Sequence, residues 1–403
     1  MTQPLTEVDV AGLTCDLIAA ASENPGGAES AAVDVLRDAL EAIGARVSLD
    51  EVEPNRPNLF ARIGADRPGG ILFLGHSDVV PAGDGWSGDP FVPRRTDTEI
   101  IGRGATDMKG GLAAVVAAMA QIHRMRPELP VSLLCTVDEE LDARGILHHL
   151  AARPRHQFDA CVVAEPTDLS TIIGCRGAAN FRITVNGASA HAGRPSDGAS
   201  AILAAAEVIA AIESDAQQLA VNPHPFLGTA TWNVGRVVGG QGPSIVPDGC
   251  ELEVDRRLLP AESAAEVLTG LLEVARERIA QRELPHSSRI HLDGKVEMFM
   301  PGFVTAPEHP LVNIAIDAAR AVGAPGESGV WTASCEGGFA AQYYQVPTIV
   351  LGPGDITGQA HQPDERVCIR DLHAAVDMFT KIAMRVEEDV AATTNRSNNS
   401  SWK

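Results

Sequence analysis

The amino-acid sequence predicts an α/β protein made of two parts: a larger domain with a helix-covered, mostly parallel central sheet, and a smaller α+β domain inserted into it. The chain has 403 residues. This length exceeds that of most domains with a single hydrophobic core, so two domains are expected. Continuous apolar runs alternate with helical patterns towards both ends of the chain, which is typical of a buried parallel sheet. In the middle, strands with alternating apolar and polar residues indicate a separate layer with one solvated face.

The first region of alternating elements begins with an amphipathic helix. Val33, Leu36, Leu40 and Ile43 have helical spacing, and Gly44 ends the pattern. Strands are predicted at residues 46–52, 58–63, 70–74, 131–136 and 161–164, with helices after Gly110 and at 143–152. Sheets of this class bind ligands beyond the carboxyl ends of their strands, so polar residues that follow the strands are the first functional candidates.

The middle region changes character after residue 176. Phe181, Ile183 and Val185 alternate with polar residues, and apolar residues alternate in the same way within 250–254. Helical patterns at 199–212 and 264–279 complete an α+β layer. We therefore predict the larger domain over 1–176 and 295–390, the insertion over 177–294, and a polar, disordered tail over 391–403.

The composition narrows the possible partners. The formal net charge is -21, from 53 acidic and 32 basic residues, which argues against nucleic acids and anionic membranes. The seven cysteines are scattered without a C-x-x-C motif, as expected of buried, reduced thiols. No segment has the pattern of a secretion signal or the length of a membrane span. We therefore expect a cytoplasmic protein.

The stretch 75–111 is the most informative part of the sequence. Four apolar residues, 71–74, lead into it, so His76 and Asp78 are predicted at the end of a buried strand, where residues two apart point the same way. Asp107 lies in a glycine-flanked loop just before a helical pattern. A histidine at a strand end and an aspartate at a helix entrance can converge above one sheet edge. Taken alone, the stretch would be read as a turn that contains one histidine.

Three further motifs make a metal site the better interpretation. They are Asp138-Glu139-Glu140 after a predicted strand, Glu165 after the next strand, and His361 near the end of the larger domain. Together the motifs supply a set of histidines and carboxylates, which suits Zn, Co or Mn: His76, Asp107, Glu140, Glu165 and His361. Five ligands are too many for one open catalytic zinc, whereas two ions that share a carboxylate and a hydroxide, roughly 3.5–4 Å apart, would use them all.

At these motifs the chain resembles the two-zinc hydrolase family of acetylornithine deacetylase, succinyl-diaminopimelate desuccinylase, aminoacylase and the glutamate-releasing carboxypeptidases. The resemblance spans roughly residues 55 to 370, and its specificity comes from five motifs in the family's order. It implies a catalytic domain, an inserted lid domain through which the chain dimerises, and two divalent metal ions per chain, with zinc as the first choice and cobalt or manganese as alternatives.

The resemblance also implies a role for each candidate ligand. Asp107 would bridge the two metals, His76 and Glu165 would complete one site, and Glu140 and His361 would complete the other. The peptide bond between residues 107 and 108 is expected to be cis.

Two carboxylates beside the ligands receive supporting roles. Glu139 would act as the general base and take a proton from the water bridging the metals. Asp78 would accept the remaining N–H of His76 and fix its tautomer. An isolated acidic triplet would instead indicate a helix N-terminus, but the accompanying histidine motifs favour the catalytic interpretation.

The remaining candidates concern the substrate. By resemblance, His191 would donate to the substrate carbonyl and Arg257 would hold the substrate carboxylate. Arg176 would assist, unless it forms a hinge salt bridge. Ser244 stands where desuccinylases of the family carry asparagine, which puts succinyl recognition in doubt. Glu336 lies in a pattern similar to that of acetylornithine deacetylase.

The predicted function is therefore metal-dependent hydrolysis of the amide bond of an N-acyl amino acid. Alternatives are a desuccinylase or a dipeptidase or carboxypeptidase of the same family, and, more remotely, a non-catalytic ligand-binding relative. The family further implies a homodimer in which His191 reaches the metals of the partner subunit. A surface histidine is the alternative for that residue.

Overall fold

The computed structural model describes residues 7–152 and 157–400. Its helices are α1 Val10–Ala19, α2 Ser30–Ala42, α3 Gly110–Met125, α4 Arg144–Ala152, α5 Ala201–Val221, α6 Ala264–Gln281, α7 Pro310–Ala321, α8 Gly337–Phe339 and α9 Ile369–Ser400. Its strands are β1 Arg46–Glu53, β2 Arg56–Ile63, β3 Ile71–His76, β4 Arg94–Arg95, β5 Glu99–Ile101, β6 Val131–Thr136, β7 Ala160–Val163, β8 Thr171–Cys175, β9 Gly177–Asn186, β10 Thr231–Gly239, β11 Gly249–Leu258, β12 His291–Met300, β13 Phe303–Val304, β14 Ser328–Trp331, β15 Thr348–Val350 and β16 Arg366–Cys368.

The chain divides into two compact units. The smaller unit comprises Cys175–Phe303 and Trp331–Ser334, and the larger unit comprises the rest. The predicted insertion, 177–294, therefore ends too early. Its last strand, β12, continues past residue 294 because it stays paired with β9 as far as the contact between Met300 and Ala178.

The larger unit is built around a mixed sheet with the strand order β1-β2-β6-β3-β7-β15-β8-β13 and with β14 beside β8. Its central strands β6, β3, β7 and β15 are parallel, while β1 pairs with β2, β2 with β6, and β15 with β8 in antiparallel fashion. Strands β3, β6 and β7 are buried along their whole length, as expected of strands covered on both faces. The predicted helix-covered, parallel sheet centre is confirmed, and the edges are antiparallel.

Helices α1, α3, α7 and α9 pack together and contribute to the main core. Helix α3 supplies an unbroken set of buried small residues, such as Ala113, Ala114, Ala117 and Ala118, which lets it pack closely. Its first turn leads directly from the segment that carries Asp107. The packing of α3 therefore fixes the entrance at which that carboxylate lies.

The smaller unit is an α+β layer, as predicted. Its antiparallel sheet has the order β10-β11-β9-β12, and α5 and α6 pack on one face. Along β9, Phe181, Ile183 and Val185 are buried and alternate with more exposed residues. Strand β10 is an edge strand with Val237 and Val238 half exposed.

Helix α9 runs from Ile369 to Ser400, over part of the stretch 391–403 for which the sequence predicts a disordered tail. No proline or glycine interrupts residues 391–400, which permits a continuous helix. Residues 401–403 lie outside the described residues. Among the helices that the structure describes, none is long and apolar enough to cross a membrane. Five of the seven cysteines are buried, and Cys15 and Cys368 are partly exposed.

Candidate metal centre

The carboxyl ends of three neighbouring parallel strands supply most of the site. His76 is the last residue of β3 and lies level with Thr136, the last residue of β6. Glu139 and Glu140 follow β6, and Glu165 follows β7. Because β6, β3 and β7 run parallel and adjacent, these side chains meet at one edge of the sheet.

Asp107 reaches the same edge from the entrance of α3. It lies in a π-helical segment, Ala105–Lys109, and the peptide bond to Met108 is cis, which confirms that prediction. Met108 packs against β3, where its sulfur accepts a hydrogen bond from the main-chain N–H of His76 at 3.3 Å. A Cβ at Gly75 would lie 2.5 Å from the Met108 methyl. The glycine thus makes room for the segment that presents Asp107.

The two oxygens of Asp107 face two different histidines. Oδ1 lies 3.4 Å from Nε2 of His76, and Oδ2 lies 3.3 Å from Nε2 of His361. Glu165 Oε1 is 3.4 Å from the same nitrogen of His76, and Glu140 Oε2 is 3.3 Å from that of His361. The predicted ligands therefore form two groups that share Asp107. In each group the ligand atoms lie within 4.8 Å of one another.

The unpartnered nitrogen of His76 shows that a cation suits the site. Nδ1 of His76 bonds to the main-chain carbonyl of Asp78 at 3.0 Å, which assigns the proton of the neutral imidazole to Nδ1. Nε2 is buried and has no hydrogen-bond partner among the described residues, yet it faces carboxylates of Asp107, Glu139 and Glu165. A lone pair directed at anions is unfavourable, so Nε2 requires either a proton or a metal ion between it and the carboxylates. The residues fit a divalent metal.

The pKa values of the histidines report the same excess of negative charge. Hydrogen bonds to Asp107 and Glu140 raise the pKa of His361 to about 10 in the metal-free site. Burial opposes protonation of His76, but the neighbouring carboxylates, above all Glu165, outweigh it and raise its pKa well above the usual value. Each imidazole would lose its second proton to solvent when a metal binds.

The pKa values of the carboxylates are shifted in opposite directions. Burial raises the pKa of Glu139 well above its usual value, although His76 partly opposes this, and burial with the charge of Asp107 raises the pKa of Glu165 to about 7. Burial opposes ionisation of Asp107, but the neighbouring imidazoles of His361 and His76 prevail and lower its pKa. Without a metal, this cluster resists full ionisation, so cations would stabilise it strongly.

Asp78 lies behind the ligands and contacts both His76 and the loop that follows β6. The N–H of His76 is bonded to the carbonyl oxygen of Asp78, and the carboxylate oxygen is farther away, at 3.4 Å from Nδ1. The carboxylate instead accepts the main-chain N–H groups of Glu139 and Glu140, each at 3.1 Å, and the side-chain amide of Asn24 at 2.9 Å. Because two adjacent amides converge on one carboxylate, Asp78 fixes the loop that presents Glu139 and Glu140.

The sequence analysis missed several buried polar residues that support this loop. The amide of Asn24 also donates to Asp138 at 3.0 Å, and Arg56 bonds to Asp138 at 2.8 Å and to Glu29 at 2.5 Å. These partners come from distant parts of the chain and have no shared motif, so nothing in the sequence groups them. Glu365 was also missed, although it lies in the His361 motif.

Glu336 is buried beside the strand ends. Its Oε2 accepts the hydroxyl of Thr136 at 2.6 Å, whereas Oε1 is buried without a hydrogen-bond partner among the described residues. Burial raises its pKa to about 8. Glu336 therefore offers a polar atom that the described protein residues leave unsatisfied.

The other predicted substrate residues belong to the smaller unit. His191 is exposed, accepts the N–H of Gly193 at 3.0 Å through Nδ1, and pairs with Ile245 in an isolated bridge. The carbonyl of Ser244 accepts the N–H of Ala192 at 3.0 Å. The loops of His191 and Ser244 therefore lie side by side.

The two arginines of the smaller unit have different surroundings. Arg257 bonds to Asp255 at 3.2 Å and keeps 35% of its side chain exposed. Arg176 donates to the carbonyl of Thr229 at 2.7 Å, and none of the described carboxylates forms an ion pair with it. The alternative of a hinge salt bridge is therefore absent from the part of the chain described here.

Comparison with known proteins identifies the family of this chain. Residues 72–385 match the model of peptidase family M20/M25/M40. The chain belongs to this family. The resemblance seen in the motifs is thereby confirmed, and as a family member the chain is a hydrolase.

Relatives within this peptidase family are similar along most of their length. Acetylornithine deacetylase from Aliivibrio fischeri strain MJ11 is 31% identical over 367 residues, which cover 90% of this chain and 92% of that protein. Acetylornithine deacetylase from Vibrio vulnificus is 33% identical over 359 residues, with 88% and 91% covered.

Solved structures share the fold. A tripeptidase from Staphylococcus aureus superposes with a TM-score of 0.73 at 21% identity and covers 94% of this chain and 97% of its own. A metallo-carboxypeptidase from Sulfolobus solfataricus gives 0.74 at 17% identity, with 93% and 98% covered. A dinuclear metal-binding peptidase from Bacillus subtilis gives 0.68 at 17% identity, with 94% and 98% covered.

Proposed function

We propose that this protein hydrolyses the amide bond of N-acyl amino acids, in the manner of an acetylornithine deacetylase, and uses two divalent metal ions. The observation that carries the proposal is the shared carboxylate: the two oxygens of Asp107 face His76 and His361. Glu165 completes the first group and Glu140 the second. Zinc is the first choice for such histidine and carboxylate ligands, with cobalt or manganese as alternatives.

The bound metals would polarise the substrate carbonyl and lower the pKa of the attacking water. The residues then have distinct tasks. Glu140 is a ligand, whereas Glu139 lies 4.0 Å from Nε2 of His76 and belongs to neither ligand group. Its carboxylate would take the proton of the attacking water and return it to the leaving amine. Burial raises the pKa of Glu139, which favours a carboxylate that can hold a proton, and the charge of the metals would oppose that rise.

Four further residues are proposed to determine the substrate. Arg257 would hold the substrate carboxylate, with help from Arg176, because a guanidinium can bind a carboxylate through two parallel hydrogen bonds. Glu336 has a buried unsatisfied oxygen that could accept a donor from a polar substrate. Ser244 replaces the asparagine of the desuccinylases, so acetyl groups are favoured over succinyl groups. The 31% and 33% identical relatives are named for acetylornithine.

A peptidase is the second candidate. A dipeptide presents an amide bond and a terminal carboxylate in the same relation as an N-acyl amino acid does, so the same metals and Arg257 would serve it. The desuccinylase reaction differs only in the acyl group.

A substrate panel decides between these reactions. Zinc- or cobalt-loaded protein is given N-acetyl, N-succinyl and N-formyl amino acids and dipeptides, and initial rates are measured. We expect kcat/KM to be highest for N-acetyl amino acids with polar or basic side chains. Faster cleavage of dipeptides would identify a peptidase, and no turnover of any member by protein that carries both metals would favour a non-catalytic relative.

We also propose that the protein acts as a homodimer through the smaller unit and that His191 donates to the substrate carbonyl at the partner's metals. Edge strand β10 offers unpaired main-chain groups and half-exposed Val237 and Val238, which favour pairing with a second strand. A donor at the developing oxyanion stabilises the transition state more than the ground state.

Subunit mixing tests the role of His191. A Glu139→Ala chain and a His191→Ala chain, each inactive alone, are combined under conditions in which subunits exchange. One site of each mixed dimer then contains an intact Glu139 and an intact partner histidine, so part of the activity should return. Exchange without any return of activity would show that His191 does not act across an interface.

A further inference from the structure

A buried ion pair outside the ligand set joins the loops that carry the candidate ligands. Arg103 and Glu365 are 1% and 0% exposed, and Nη1 of Arg103 lies 2.6 Å from Oε2 of Glu365. In the sequence, Arg103 stands shortly before Asp107, and Glu365 stands shortly after His361. The two segments also meet as β-strands, since β5 pairs with β16 directly beside them.

The second oxygen of Glu365 holds the main chain of Asp107. Oε1 accepts the N–H of Thr106 at 2.8 Å and the N–H of Asp107 at 2.9 Å. Hydrogen bonds from main-chain amides to a carboxylate are charge-assisted and strong. A shift or rotation of this segment would break both bonds, so Glu365 restricts the direction in which Asp107 projects its carboxylate.

The guanidinium of Arg103 extends the connection to the loop after His76. Its Nη2 donates to the carbonyls of Pro81 at 3.3 Å and Ala82 at 3.0 Å, and its carbon lies 5.1 Å from the ring centre of Trp86. Nη1 also reaches the carbonyl of Gln362 at 3.4 Å. One ion pair thus contacts the segments that follow His76, contain Asp107 and follow His361.

Stability alone is a weak reason for such a pair. Taking both charges out of water carries a large desolvation cost, and apolar residues of similar volume often stabilise a fold as well or better. What an apolar pair cannot supply is an oxygen that receives the two amides of Thr106 and Asp107. What distinguishes this pair is therefore the Glu365 oxygen that accepts these amides, and not the fact that the pair is buried.

We propose that Glu365, oriented by Arg103, is a positioning residue that sets the carboxylate of Asp107 so that one oxygen faces each histidine. The inference rests on the proposed metal centre. It makes a particular statement about metal affinity: because Asp107 belongs to both ligand groups, a loss of its orientation must weaken both metals together.

The first test compares Glu365→Gln with Asp364→Asn. Glutamine has one oxygen, which can serve either Arg103 or the two amides, so one contact is lost. The adjacent Asp364 is a matched control, since its carboxylate bonds to Ser87 and Arg94. Affinities for zinc and cobalt are measured by competition with a chelator, below the unfolding transition followed by circular dichroism. We expect Glu365→Gln to weaken both ions about 10–100-fold, as is usual for residues that orient ligands, and Asp364→Asn to match wild type.

A second comparison removes the charges altogether and so avoids an unpaired buried ion. Arg103→Met/Glu365→Gln keeps an acceptor for the two amides, and Arg103→Met/Glu365→Met does not. The glutamine variant should bind both metals at least about tenfold more tightly than the methionine variant. Equal affinities in the two double variants, or weakening of only one ion in Glu365→Gln, would overturn the positioning role. Failure of the wild-type protein to bind two metals would instead overturn the metal centre on which the inference rests.

Discussion

The two ligand groups that share Asp107 are built differently. The group of His76 and Glu165 is buried, with 1% and 5% of these residues exposed, and both residues follow strands of the central sheet. In the other group, Glu140 is largely buried, but 49% of the His361 side chain is exposed. His361 lies on a loop with a φ of 63°, in the left-handed region, which costs a residue other than glycine about 1–3 kcal/mol unless its surroundings enforce it.

The two groups illustrate two ways in which a fold can hold a metal ligand in place. The sheet holds His76 through its main-chain ladder, so the buried group is an extension of the core. The open group takes His361 from a loop, which has no such ladder behind it. We therefore expect the buried group to retain metal under conditions in which the open group loses it, and the variants below test that expectation from the largest effect to the smallest.

The largest effect should come from the shared ligand. Asp107→Ala removes a ligand from both groups, whereas His361→Ala removes one from the open group only. We expect metal content, measured by elemental analysis after zinc reconstitution, to fall from about two per chain to about none in the first variant and to about one in the second. A single metal retained by Asp107→Ala would mean that this residue does not join the two groups.

The next effect separates chemistry from metal binding. Glu139→Gln should keep both metals and lower kcat by ~10²–10⁴-fold, the usual loss for a general base. Glu140→Gln, its neighbour in the same loop, should lose the metal of the open group. Since both variants neutralise one carboxylate of the same loop, each is the control for the other. Equal metal loss in the two variants would reject the division of roles.

The sequence predicted the ligands of the buried group more fully than the residues that hold the ligands in place. His76 and Glu165 follow continuous apolar strands, and the carboxyl ends of such strands are where ligands bind, so a local pattern was sufficient. His361 was predicted as a ligand from its sequence motif and not from a periodic pattern, because a loop position at positive φ has no apolar pattern around it. The resemblance also gave the cis bond after Asp107, which local reasoning could not provide.

The residues that hold the ligands in place were missed because they bond to parts of the chain that are distant in sequence. Asn24 bonds to Asp78 and Asp138, and Glu365 bonds to the main chain of Asp107. Each contact joins a side chain to an atom that the sequence does not mark as special, and in the last case the donor is a backbone amide. Only the folded arrangement identifies such pairs. The same reason applies to Asp78, whose carbonyl oxygen lies closer to Nδ1 of His76 than its carboxylate does, at 3.0 Å against 3.4 Å.

The smallest effect concerns the order in which the two metals leave. A buried dication needs nearby anions to offset its desolvation, and the buried group provides Asp107 and Glu165 with Glu139 close by. The open group provides Asp107 and Glu140, and water reaches its exposed histidine. We expect limiting chelator to remove the metal of the open group first, with an affinity gap of at least about tenfold, or ~1.4 kcal/mol. Cobalt absorption during stepwise removal measures the gap, and the variants His76→Ala and His361→Ala identify each site by the spectrum it leaves. Loss of both ions in one step, or earlier loss from the buried group, would show that burial and strand support do not determine retention here.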